Sequence, residues 1–330
     1  MDRMICITGP TATGKTRLAV GLSLALDGEV ISCDSMQLYR GMDVGTAQVT
    51  PEETRGVPHH MIDVLDPSEA CSVGRFCEMA EPIVRDILGR GKTVILAGGT
   101  GLYMDALVLG RRFAPGPGTG KREMLEALAD REGIEAVQAM LRQFDPDSAE
   151  RLHPGDRRRI IRAVEIYLET GQTITEHDRL SRLEPPSYEP VWIGLNYVNR
   201  SALYRRIDAR VDEMLENGLE DEIDRLTEAG IPPEATSLQA IGYKQLLAAC
   251  RGEMTRDEAV EAVKRLSRNY AKRQLTWLRR NPALHWIELP DEPDPDWALA
   301  QAEGILTEAG FPGAEIFSSQ STDFGKIQPF

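Results

Sequence analysis

The residues MICIT, 4–8, run directly into GPTATGKT, 9–16, and the chain then takes up a helical pattern from Lys15 to about Leu26. No other short stretch of the sequence constrains its fold as much. Gly9 and Gly14 permit backbone angles that other residues resist, so successive N–H groups can turn inward around an anion. The helix behind them points its positive end at the same place. Lys15 adds a mobile point charge, and Thr16 offers Mg²⁺ a hydroxyl. The competing reading is a chance glycine-rich turn, disfavoured because strand, loop and helix signals arrive in the order that G-x-x-x-x-G-K-[ST] requires. A buried strand feeding such a loop and helix belongs in a parallel sheet with helices on its faces. The expected fold class is therefore α/β, with a P-loop NTPase-like sheet.

Three more apolar runs extend that sheet: EVISCD at 29–34, TVILAGG at 93–99 and VWIGLNY at 191–197. A helical stretch from about Val73 to Leu88 precedes the second of them. FAPGPGTG, 113–120, reads as a linker. Residues 121–180 are helical in pattern with no convincing strand, so they form an all-helical insertion between two strands. The expected division is a catalytic core at 1–112 and 191–290, an insertion at 113–190, and a loosely packed tail at 291–330.

The 330 residues, 42% hydrophobic, suffice for about two packed domains. No apolar run approaches a membrane span, and no secretory leader pattern opens the chain. Cys6, Cys33, Cys71, Cys77 and Cys250 make an odd set without zinc-site spacing, which suits a reducing cytoplasm. The net charge of −14 argues against a general nucleic-acid binder. The positive charge is nevertheless concentrated. DRRRIIR, 156–162, holds four arginines, and KRLSRNYAKRQLTWLRR, 264–280, has seven basic residues and no acid. Local basic surfaces on an acidic protein suit a specific polyanion, although either stretch taken alone also reads as a solvated helix face.

A P-loop kinase or ATPase usually places an Asp at the end of a further strand to hold Mg²⁺. Here TVILAGGTG ends in glycines. The strand that ends in Asp is EVISCD, which puts Asp34 and then Ser35, Met36 and Gln37 at the sheet's carboxyl edge, where active sites form. Asp34 there is a proton acceptor, a helix N-cap or a ligand in the Mg²⁺ environment. GGTGLY, 98–103, is a second flank of the site or simply a tight turn.

Taken together, GPTATGKT, DSMQLYRGMDVGTA, PHHMIDV, GGTGLY, DRRRIIRAVEIY, IGYKQ and YAKRQLTWLRR, in this order, resemble the tRNA dimethylallyltransferase (tRNA isopentenyltransferase) family over about residues 4–286. Thr13 stands where that family often has Ser, and Gln48 where it usually has Lys. No zinc-finger-like extension of the eukaryotic type is present in the sequence.

The resemblance implies transfer of a dimethylallyl group from dimethylallyl diphosphate to N6 of the adenosine immediately 3′ of the anticodon. It implies that Gly9, Pro10, Thr11, Ala12, Thr13, Gly14, Lys15 and Thr16, with Arg210, hold the diphosphate, and that Mg²⁺ sits on Thr16. Lys15, Asp34 and Thr100 would carry the chemistry, with Asp34 as the base. For the anticodon stem-loop it implies Asp34, Ser35, Met36, Gln37, Thr100, Arg122, Arg158, Arg159, Ile160, Ile161, Arg162, Gln239, Ala240, Ile241, Gly242, Tyr243, Lys244, Lys272, Arg273 and Gln274. Tyr270 and Trp277, interleaved with the second basic stretch, suit the same stem-loop, and the acceptor base must be flipped out of its stack. The expected enzyme is a cytoplasmic monomer that binds tRNA and no membrane. The competing readings are an ATP-dependent small-molecule kinase, an adenylate isopentenyltransferase, and an RNA-binding module with a relic loop. His59 and His60 read as structural.

Overall fold

In the computed structural model, residues 1–111, 120–183, 185–294 and 296–314 are described; most of the 113–120 linker and the end of the tail lie outside them. Six strands form one sheet: β1 (Arg3–Thr8), β2 (Gly28–Ser32), β3 (His59–His60), β4 (Thr93–Gly98), β5 (Glu189–Tyr197) and β6 (Leu284–Leu289). Their spatial order is β3-β2-β4-β1-β5-β6, and every pair is parallel.

β1 reads as an unbroken apolar run because both of its faces are covered. Met4 and Cys6 point into one core with Phe76, Ala80 and Val84 of the helix Val73–Gly89. Ile5 and Ile7 point into the other, with Leu18, Ala19 and Leu22 of the helix Lys15–Ala25 and Leu203 and Ile207 of the helix Arg200–Glu216. All five residues Met4–Thr8 are fully buried.

Two strands lie outside the expected four. β3 is two residues long, too short to carry a pattern, and is paired at Val30 and Ile31. β6 extends the other edge beside β5. The strand read as 29–34 closes at Ser32, and the Cys33 N–H then reaches the Ala97 carbonyl at 2.8 Å, which leaves Asp34 free of the ladder. The tail is also corrected. A helix spans Trp297–Glu308, and its Ala302 and Leu306, with Phe311 and Ala314, are buried in the second core. Those apolar residues give the segment a face to bury, so it is packed as far as it is described.

The described chain divides into two compact units: Met1–Val108 together with the chain from Tyr188, and Leu109–Ser187. Tyr188 belongs with the sheet, where it is buried and donates to Glu81 at 2.8 Å. Among its described residues the second unit has helices and no strand, and it closes on its own core of Leu125, Val137, Leu141, Ile160, Ile161 and Val164.

Candidate active site

β1, β2 and β4 end side by side at the sheet's carboxyl edge, and a cleft of about 910 Å³ opens there within the first unit. The phosphate loop forms its floor. Gly9 has no alternative residue, because a Cβ there would lie 2.5 Å from the Leu195 carbonyl oxygen of β5. Gly14 takes φ 81° to start the helix Lys15–Ala25. The Thr13 hydroxyl and the Lys15 ammonium both donate to the Pro10 carbonyl, at 2.8 and 2.7 Å. Burial, assisted by the neighbouring Arg210 charge and opposed by Asp34, pushes the Lys15 pKa down to about 7. Arg210 is also shifted down, mainly by burial, against the favourable fields of Asp34, Glu213 and Glu53. One Nη of Arg210 reaches the Ala47 carbonyl at 3.4 Å, while its buried Nε has no partner among the described residues. Two desolvated cations with spare donors form a strong anion site.

Asp34 faces this pair across the cleft and is oriented by the Met36 N–H, which donates to Oδ1 at 2.9 Å. The GGTG turn supplies the adjoining wall. A Cβ on Gly98 would meet the Cys33 carbonyl at 2.3 Å, and one on Gly99 the Gln274 amide at 2.2 Å, so these glycines let strand ends and helix close together. The Thr100 N–H donates to Cys33 at 3.1 Å, and its hydroxyl accepts from the Ser35 N–H at 3.2 Å. Tyr270 lines the same cleft, with its phenol pushed up to about 12 by burial and by Asp34, so it stays a donor.

Several residues expected to touch an RNA are engaged by the protein's own side chains or core. Ile160 and Ile161 are core residues of the helical unit, because with Ala163 and Val164 they form the buried stripe of the helix Arg157–Thr170. Arg122 and Arg162 both bind the buried Glu165, at 2.7 and 2.8 Å. Arg158 and Arg159 are exposed. Tyr243 is fully buried and donates to Glu222 at 2.5 Å. Gln274 is buried as well, accepting from the Thr11 N–H at 3.2 Å and donating to the Gly99 carbonyl at 2.9 Å, so it ties the phosphate loop to the GGTG turn. The Trp277 indole donates to Asp105 at 3.0 Å and is 37% exposed.

Ser35, Met36, Gln37, Gln239, Ala240, Ile241, Gly242 and Arg273 do line the cleft. Gln37 accepts from the Ser32 hydroxyl at 2.7 Å, and its amide lies 3.4 Å from the Thr46 and Ala47 carbonyls. Lys244 and Lys272 are exposed, Lys272 with its ammonium 5.8 Å from the Tyr204 ring. The wall at 43–49 and its anchor Glu222 were missing from the expected site. The glycine in VGTA hinted at the wall, whereas nothing distinguishes Glu222 within LEDEIDRL.

Thr16 is exposed at the cleft, and among the described residues no three Asp, Glu, His or Cys side chains converge on a point. A hydroxyl with one carboxylate nearby suits Mg²⁺ bound mostly through a ligand's phosphates and water.

A parallel sheet whose central strand ends in a phosphate loop, with buried cations on one side of the cleft and a carboxylate on the other, defines the P-loop group-transfer enzymes. The family described as IPP transferase matches residues 37–281, and that described as isopentenyl transferase matches residues 2–65. This chain belongs to the tRNA dimethylallyltransferase family of prenyltransferases. It is 46% identical over 293 residues to the tRNA dimethylallyltransferase of Halalkalibacterium halodurans, covering 88% of this chain and 92% of the relative. The Caldanaerobacter subterraneus subsp. tengcongensis enzyme of the same name is 44% identical over 291 residues, with the same coverage. Among solved structures, a full-length tRNA isopentenylpyrophosphate transferase from Bacillus halodurans superposes with TM-score 0.70 at 42% identity, over 98% of this chain and all of that one. A eukaryotic dimethylallyltransferase described as acting on tRNA gives TM-score 0.78 at 28% identity, over all of this chain and 81% of that one. No described helix is long and apolar enough to cross a membrane.

Proposed function

We propose that this chain transfers the dimethylallyl group of dimethylallyl diphosphate to N6 of the adenosine 3′-adjacent to the anticodon in tRNA. The observation that carries this reading is the opposition of Lys15 and Arg210 to Asp34 within one cleft, each within the other's field. The N6 lone pair forms a bond to C1 of the dimethylallyl group while the C1–O bond breaks, and its electrons leave with the diphosphate. Loop N–H groups, Lys15 and Arg210 neutralise the charge that develops on that leaving group. The N6 proton passes to the Asp34 carboxylate, which the Met36 N–H holds in place. Thr16 would hold Mg²⁺, which when bound adds further charge neutralisation on the diphosphate. Thr100 and Tyr270 supply hydroxyls beside the acceptor. The exposed Arg158, Arg159, Lys272 and Trp277 are the RNA-facing candidates. With tRNA as acceptor and five free cysteines, the cytoplasm is the fitting compartment. The absence of an Asp at the end of β4, which closes on Gly98, disfavours an ATP-dependent kinase.

Incubation of the protein with unmodified tRNA, Mg²⁺ and labelled dimethylallyl diphosphate, followed by nucleoside mass analysis, tests this reading. One N6-dimethylallyladenosine per acceptor tRNA is expected. Modification of AMP but not tRNA, or turnover of ATP in place of transfer, overturns it.

A further inference from the structure

Glu222 is fully buried in the first turn of the helix Leu219–Glu228, and no ion pair among the described residues involves it. Four neutral donors meet its carboxylate instead. The N–H groups of Asp43 and Val44 both donate to Oε2 at 2.7 Å, the Gly45 N–H donates to Oε1 at 3.0 Å, and the Tyr243 hydroxyl donates to Oε1 at 2.5 Å. A buried carboxylate that captures three consecutive backbone N–H groups fixes the path of that segment, because releasing it would strand both the charge and the donors. The Tyr243 ring closes the arrangement from the other side. A Cβ on Gly45 would sit 2.5 Å from the ring, so only glycine lets the wall lie flat against it. Gly242, at φ 105°, aims Tyr243 inward at the start of its helix. Two segments that resemble family motifs, VGTA and IGYKQ, thus meet on one acid that neither contains.

The anchored segment continues directly into the cleft wall. Two residues beyond Gly45, the Ala47 carbonyl receives the Arg210 guanidinium, and the Thr46 and Ala47 carbonyls flank the Gln37 amide. We propose that Glu222 is a positioning residue for the transfer reaction: by clamping Asp43–Gly45 it sets the wall against which Arg210 is aimed at the diphosphate. This rests on the function proposed above. It assigns Tyr243 to the clamp and not to the RNA.

The test uses the full chain with Glu222→Gln. The amide has one acceptor oxygen, so at least one of the three N–H groups then faces an NH₂ group and the segment loosens. A displacement of about 1 Å at a charged contact of this kind is expected to slow single-turnover transfer about 10²-fold. Affinity for dimethylallyl diphosphate without tRNA should fall about tenfold, while tRNA affinity holds. Amide hydrogen exchange at 43–45 should accelerate. Tyr243→Phe, which keeps the ring and the three N–H bonds, should change rate and affinity in the same direction by only a few-fold. If Glu222 acts through Arg210, Glu222→Gln adds nothing to Arg210→Ala in the double variant, whereas a merely structural role would multiply the two defects. A folded Glu222→Gln protein with wild-type rate and diphosphate affinity, or multiplicative defects, overturns the proposal. Should Glu222→Gln fail to fold, the Tyr243→Phe and Arg210→Ala cycle decides the matter by the same criterion. Failure of the wild-type protein to modify tRNA would sink the function proposed above, and the diphosphate-affinity and exchange measurements would still decide the role of Glu222.

Discussion

Lys15 titrates near pH 7 in the free enzyme because burial and Arg210 disfavour its charge. Arrival of a diphosphate reverses that balance, since several negative oxygens then face the ammonium. Binding must therefore take up a proton. With a free-state pKa of about 7, roughly one tenth of Lys15 is protonated at pH 8, and the complex holds it nearly fully protonated. Uptake is then about 0.9 proton at pH 8, about 0.5 at pH 7 and about 0.1 at pH 6, following the same titration. The sign follows from linkage: a complex that gains a proton weakens as pH rises. Affinity should fall nearly tenfold per pH unit above 8 and flatten below 7. The ligand's terminal phosphate titrates near pH 6, so the count at pH 8 belongs to Lys15. Calorimetric titration with dimethylallyl diphosphate, without tRNA, in two buffers of different ionisation enthalpy counts the proton. Lys15→Arg keeps the charge but does not titrate, so its uptake and its pH slope should both vanish. Lys15→Ala should likewise take up none, and should also slow transfer by about 10² to 10³. Wild-type uptake below about 0.3 proton at pH 8, or equal uptake by Lys15→Arg, would refute the reasoning.

Asp34→Asn keeps the shape of the acceptor but not its basicity, and should lower the single-turnover rate by about 10² to 10⁴; full rescue at high Mg²⁺ would make Asp34 a metal-ordering residue instead. Gly99→Ala places a Cβ 2.2 Å from the Gln274 amide and should slow transfer by about tenfold without altering the melting midpoint much, as kinetics beside a thermal scan will show. Arg158→Glu combined with Arg159→Glu should weaken tRNA binding and flatten its salt dependence, by about 0.7 to 0.9 in log–log slope for each phosphate no longer neutralised, while dimethylallyl diphosphate affinity stays constant. Ile160→Ala should destabilise the helical unit by about 2–5 kcal/mol in denaturant titrations, as for any fully buried isoleucine, and an unchanged midpoint would count against its burial.

How much could be read from the sequence depended on the kind of residue. β1, β2, β4 and β5 were visible because a central parallel strand is buried on both faces and spells a continuous apolar run. β3 has two residues and no such run, and the helix Trp297–Glu308 was obscured by the acidic, proline-rich DEPDPD in front of it. The strand, turn and helix around residues 9–16 were legible, since Gly9 and Gly14 answer to local geometry. The RNA-facing list was legible only as blocks. DRRRIIR mixes exposed Arg158 and Arg159 with core isoleucines, and IGYKQ mixes exposed Lys244 with buried Tyr243, because a block of a few residues already runs from one side of a helix to the other at 3.6 residues per turn. Glu222 left no trace in the sequence. Three of its four partners are backbone N–H groups 177 to 179 residues away, and any residue type except proline carries an N–H.

The Gln274 bridge has a consequence for how the enzyme is made. The phosphate loop leaves the ribosome first, yet the amide that fixes Thr11 to Gly99 lies 263 residues downstream of Thr11. A nascent chain carrying only the first strands holds a loop of the right sequence without the staple that sets its shape. Its central strand must also wait for β4 and β5, with a whole helical unit synthesised between them. Competence to grip a diphosphate is therefore withheld until synthesis has passed the last long helix, so incomplete chains should not sequester the prenyl donor, and the N-terminal strands remain vulnerable to mispairing for most of translation.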